Sequence, residues 1–358
     1  MSDNAILSDI KKRRQARRFW RIYDDKTPPS AMLACMDSSQ PVVAPPKPSR
    51  RKRAVNVATS PEKTQLCQPL PPWAQAPARP GTGAEKFAAG AVLLALDRLN
   101  RADPAWLGAL RARQALRAAA ASARLLRHRE DEAGLRDAHH LTRPGDDPGP
   151  AGKIYRLWRE FSARPARLAV ASLAAFAEAL GVRAPAGAFD GLTLASENPD
   201  PVAAALEAVD ACVAALDAGA GEGDVLAAMA ADLVLARRLG WPRPLSVIGA
   251  AGVGRRGPVA ERYAKVLREA MACHGQAIEL ERRAARLIAA AATLRVKGAE
   301  RGVAALLADD VVSASDLCHA GSAQLGSDRA ARRFLERLVE LDALREMTRR
   351  PSFRLYGL

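Results

Sequence analysis

A chain of 358 residues, 49% hydrophobic and 26% charged, can bury a core of its own, which excludes a small stapled scaffold. Its formal net charge of +15 favours polyanionic partners, nucleic acid or an acidic membrane surface. Cys35, Cys67, Cys212, Cys273 and Cys318 lie far apart without a C-x-x-C pair, which argues against a disulfide framework or zinc knuckle and for reduced thiols in a cytoplasm.

Residues 1–80 read as a disordered, proline-rich basic tail, with 15 Lys/Arg against 6 Asp/Glu and the blocks "KKRRQARR" and "RRKR". A short basic helix around Ile10 to Ile22 fits the same stretch. The blocks suit phosphate or lipid contact, or no more than solvation. An apolar signal-peptide core is missing from the start, and charges break every helical run before membrane-spanning length. The expectation is a cytoplasmic protein with no membrane span.

Residues 81–299 read as an all-α, multi-helix body. "AEKFAAGAVLLALDRLNRA" is followed after Asp103-Pro104 by "AWLGALRARQALRAAAASARLLR", with Pro104 suited to a first turn. Further helices are predicted over 128–142, 150–163, 166–181, 200–217 and 222–239. One long helix follows from Pro258 to Lys297, with Gly275 as the candidate kink. "GVGRRG" at 252–257 is a literal dinucleotide fingerprint, but the helical pattern runs on where a second parallel strand is needed, so a flexible loop is the reading.

The polar stretch 127–152 offers the candidate metal or hydrolase ligands. On a helix His128, Glu132, Leu135 and His139 would share one face, with Asp137, His140, Asp146 and Asp147 nearby. About 16 Å of helix separates His128 from His139, too far for one ion. The alternative is a surface helix held by Glu132 pairing with Arg136, ended by Pro144-Gly145, with Asp146 and Asp147 capping the next helix. No metal, cofactor or catalytic set is assigned, since no Ser-His-Asp order, nucleophile elbow or H-E-x-x-H occurs.

Residues 300–358 read as three short helices and a hairpin, the order of a winged helix-turn-helix. Ser327 caps the third helix, which buries Phe334, Leu335, Leu338 and Leu341 and turns Arg329, Arg332, Arg333 and Arg337 outward. Asp342 is placed to take a left-handed conformation where that helix ends. In the hairpin, "TRRP" is the turn, Phe353, Leu355 and Gly357 form the core-facing side, and Arg349, Arg350 and Arg354 lie at the tip. The expected partner is double-stranded DNA, read by the third helix and gripped at its phosphates by the tip, with the body serving homodimerisation or partner contacts. Asp309, Asp310, Asp316, Asp328, Glu336, Glu340, Asp342 and Glu346 offset the arginines, so a scaffold whose winged helix docks protein stays open, as does a hydrolase centred on 128–147.

"PPWA" at 71–74, "REDEAGLRDAHHLTRPGDDPGPAG" at 129–152, "DLVLARRLGWPRP" at 232–244 and the segment from Ser327 to Leu358 resemble the proteobacterial domain-of-unknown-function 1403 family. The resemblance covers residue 71 to the C-terminus. It implies occurrence in alphaproteobacteria, often on plasmids or other mobile DNA, and no activity, cofactor or catalytic residue.

Overall fold

A computed structural model describes residues 65–75, 83–143, 145–166, 170–195, 197–216, 221–319, 325–348 and 353–358. The basic blocks of the tail, and the helix expected around residues 10–22, lie outside them. Within the unit Pro61–Leu358 the body is helical: α1 (Ala84–Ala102), α2 (Leu107–Leu125), α3 (Glu132–His140), α4 (Gly149–Ala163), α5 (Val170–Leu180), α6 (Gly191–Ala195), α7 (Pro201–Ala215), α8 (Glu222–Arg238), α9 (Val247–Ala250) and α10 (Val259–Thr293).

Small residues let these helices approach closely. In α8 every residue from Gly223 to Ala236 is buried, the pattern of a helix enclosed on all sides, and α7 packs along it. The large side chains come mainly from α4, whose Tyr155, Trp158 and Phe161 are fully buried. Trp158 Nε1 donates to Ser122 Oγ at 2.8 Å, and its ring occupies the space beside Gly249, where a Cβ would lie 2.2 Å from Cη2. Only glycine fits there without displacing the indole.

At 35 residues α10 is the longest helix among the described residues and spans about 50 Å. Gly275 lies inside it without breaking it, so the expected kink site leaves the helix continuous. The segment Leu66-Cys67 is tied to it, both amides donating to the Glu281 carboxylate at 2.7 and 2.9 Å. Cys67, Cys212 and Cys273 are buried free thiols and Cys318 is partly exposed. Burial pushes Cys67 and Cys212 up to about 12, which leaves them unreactive at neutral pH.

The C-terminal segment runs α11 (Ala299–Ala308), β1 (Val312–Ser313), α12 (Asp316–His319), α13 (Asp328–Glu340), β2 (Arg345–Glu346) and β3 (Leu355–Gly357). Its sheet is antiparallel in the order β1-β3-β2, with Val312 opposite Tyr356 and Arg345 opposite Gly357. The strand β1 adds a third member to the hairpin expected from sequence. It puts β3 in the middle, and Leu355, Tyr356, Gly357 and Leu358 are all buried instead of alternating. Two expectations are corrected. Phe353 precedes the strand at φ +56° and is 73% exposed, so it is no core anchor, and Leu341 caps α13 and is 39% exposed. Asp342 takes the left-handed conformation foreseen for it, at φ +52°.

Two loops also differ from the sequence reading. The GVGRRG segment is pinned, with the Arg255 amide and Nε donating to Asp224 Oδ1 at 3.2 and 3.0 Å. Among the described residues the strands are β1, β2 and β3, so no parallel strand accompanies the fingerprint. Helix α3 starts at Glu132 with Asp131 as its cap, accepting from the Gly134 amide at 2.8 Å; His128 therefore lies before the helix and shares no helical face with Glu132 and His139.

Candidate nucleic-acid interface

One face of α13 is buried and the rest of the helix meets solvent. Ser327 Oγ accepts from the Ala330 amide and starts the helix, after which Ala331, Phe334, Leu335 and Leu338 turn inward. Arg329, Arg332, Arg333 and Arg337 are exposed, as expected, together with Glu336 and Glu340. Arg332 pairs with Asp328 at 2.6 Å and Arg337 with Glu340 at 2.6 Å. Arg329 and Arg333 make no ion pair with any described residue.

Beside this helix lies a groove of about 430 Å³, walled by Asp328, Arg332 and Glu336 of α13, Phe353, Arg354 and Tyr356 around β3, Ser313 to Ser315, and His140-Leu141 of the body. Arg354 reaches Glu346 at 3.7 Å across the sheet. Arg349 and Arg350 lie outside the described residues.

The groove keeps its shape because the C-terminal segment is clamped to the body through adjacent carboxylates. Arg159 of α4 grips Asp309 with two hydrogen bonds of 2.6 Å. Asp310 is fully buried and takes Arg113 Nε at 2.9 Å and Arg136 Nε at 2.8 Å, while Arg113 Nη2 donates to the Leu358 carbonyl at 2.6 Å. The pairing of Glu132 with Arg136 expected from sequence is thus replaced by a tertiary one. Burial opposes ionisation of Asp309, but the hydrogen bonds and charge of Arg159 outweigh it and hold its pKa below the ordinary carboxylate value.

His139 and His140 sit against this clamp. Their rings meet edge to face at 4.8 Å and His139 meets Tyr155 at 5.2 Å. Burial, then the neighbouring His140 and Arg159, pushes His139 down to about 3; burial and Arg159 also lower His140. Both imidazoles are neutral at pH 7. His140 Nε2 is buried without a hydrogen-bond partner among the described residues. Asp147 accepts from the Gly149 amide at 2.8 Å and pairs with Lys153 at 2.7 Å, holding the start of α4. Glu132 lines a different cleft, beside Arg117 and Arg136. Among the described residues no three His, Cys, Asp or Glu side chains gather as a metal site would require.

The clamp is not legible in the sequence because Asp309 and Asp310 are separated from their arginines by 150 or more positions. Their only local sign was a pair of acids directly after an apolar helix. No helix of the described residues is long and apolar enough to cross a membrane.

These features define a mostly helical protein carrying a small three-stranded sheet within its C-terminal segment. The chain matches the family described as proteins of unknown function, DUF1403, over residues 58–358, and it belongs to that family. No curated protein and no solved structure matches it. The match includes the signature at 129–152, where Arg136 supplies one arm of the clamp and Asp147 holds the start of α4.

Proposed function

We propose that the protein binds double-stranded DNA through its C-terminal segment, as a regulator or a factor associated with mobile DNA. The observation that carries this reading is the outward stripe Arg329, Arg332, Arg333 and Arg337 on α13, within a chain order of helix, strand, helix, helix, strand, strand. The sheet order β1-β3-β2 supports a winged helix-turn-helix, in which the corresponding helix enters the major groove and the loop between the last two strands meets the backbone. In this reading Arg329 and Arg333 are the base-reading candidates, because neither is tied to an acid among the described residues. Arg354, with Arg349 and Arg350 of the same loop, serves the phosphates.

Genomic fragments retained by the protein supply a duplex for the test. Replacing Arg333 with Ala leaves the circular dichroism unchanged and weakens binding to the retained site by about 1–3 kcal/mol, with little effect on random duplex. Arg350→Ala weakens all duplexes alike and lowers the salt slope. If both variants bind as the parent does, the segment is not a DNA reader. A second reading, docking of a protein partner, is favoured by the pairing of Arg332, Arg337 and Arg354 with acids of the same segment, and a stable complex blind to DNA would support it.

A further inference from the structure

A second cleft, of about 220 Å³, opens where α2, α3 and α10 meet the edge strand β2. Arg113, Arg117, Arg136, Arg283 and Arg345 line it together with Glu132, Glu279 and Asp310. The nearest acids are already engaged. Glu279 accepts from both Arg282 and Arg283, Arg117 holds Glu269 with two hydrogen bonds, and Asp310 is shared by Arg113 and Arg136.

The guanidiniums are under-used. Arg136 and Arg283 have side chains only 11% and 10% exposed, yet each commits only its Nε to an acceptor among the described residues. Both side chains line the cleft. Arg345 lines the same cleft and makes no ion pair with any described residue. Several guanidinium forks converging on one space repel one another, and a planar or tetrahedral oxyanion relieves that repulsion while accepting paired hydrogen bonds. Asp310 is the internal precedent, a carboxylate held by two of these same arginines.

We propose that this cleft is a binding site for a small polyvalent oxyanion of the phosphate type, held by Arg136, Arg283 and Arg345. Its volume is below that of pockets for drug-sized ligands, about 300 Å³ and upward, which favours a free small anion over a nucleotide. Glu132, on the same wall, narrows the choice further by repelling anions that extend beyond the three guanidiniums. The site does not rest on the DNA reading, since none of its residues belongs to the α13 stripe.

The experiment is calorimetric titration of the full chain with inorganic phosphate at constant ionic strength, with chloride as the balancing ion. The expected result is a saturable heat at one site per chain, weakened about tenfold or more in Arg345→Ala and partly retained in Arg345→Lys. Arg345 is exposed, so its replacement leaves the fold intact, which circular dichroism verifies. Amide exchange at 345–347 slows when phosphate is bound. A heat that fails to saturate, or that Arg345→Ala leaves unchanged, overturns the proposal. The titration is repeated with saturating duplex present: an unchanged phosphate heat supports a free anion, whereas its loss shows that the cleft takes backbone phosphates and overturns the assignment.

Discussion

The pair α7 and α8 and the seam that holds the C-terminal segment solve the same packing problem with different chemistry. Along α8 most of the buried side chains are Ala, Val, Leu and Met, whose contacts need only close approach. At the seam the contacts are Arg159 with Asp309 and Arg113 with Arg136 around Asp310, and they need the right charge at the right angle. An apolar interface tolerates small shifts because dispersion and burial are non-directional. A buried ion cluster does not, since each group left unpaired pays its full desolvation cost.

The largest effect is therefore expected at Asp310. Its replacement by Ala strands two largely buried guanidiniums and should destabilise the protein by about 3–5 kcal/mol, read from urea unfolding; a loss below 1 kcal/mol, taken as roughly the level of an exposed pair, would show that the seam is no firmer than the surface. In the apolar region Leu226→Ala, at a fully buried position of α8, should cost about 2–5 kcal/mol. The comparison sharpens when the two variants are examined by salt: added salt should barely move the Leu226 variant, whereas the Asp310 variant, left with unbalanced charge, should respond to it.

Gly108→Ala tests the seam by shape. A Cβ there would stand 2.4 Å from the Ala308 carbonyl oxygen, a backbone atom that cannot swing aside, so α11 must move off α2. The expected cost is about 1–3 kcal/mol, with faster amide exchange across 299–313 than across α7 and α8. Equal protection of both regions would break the comparison.

Acid should also loosen the seam first. His139 is neutral in the fold, with its pKa lowered from 6.5 to about 3, so unfolding takes up a proton between those values and stability falls as pH drops through that window. Asp309 has a lowered pKa as well; its contribution is complete above the ordinary carboxylate value and is lost as pH falls below it. His139→Gln should flatten the stability profile from pH 6.5 downward, and Asp309→Asn only its most acid part. The smallest effect is expected for Phe353→Ala, within about 0.5 kcal/mol, because the ring is mostly in solvent. A loss of several kcal/mol would restore Phe353 to the core.

Much of the helical content was legible because it rests on local rules. Ser327 starts α13 where its cap was expected, Asp342 ends it in the left-handed region, and apolar spacing alone identified Phe334, Leu335 and Leu338 as its inner face. The same reasoning failed for Phe353 and Leu341, which lie two residues and one residue beyond their elements, where periodicity no longer fixes direction. It also extended α3 back to His128, although Asp131 is a strong cap whose signal was available in the sequence.

By itself the sequence determined which segments are helical, where several of them start, and which side of α13 carries arginine, because propensity, capping and periodicity act within one or two turns. Only the tertiary structure decided that Val312-Ser313 joins β3 to make it a central strand. It alone put Asp309 and Asp310 between three arginines from three helices, and gathered Arg136, Arg283 and Arg345 around one cleft. Those partners are brought together by the packing of the whole core, and a charge in a linear chain gives no sign of which distant opposite charge it will meet.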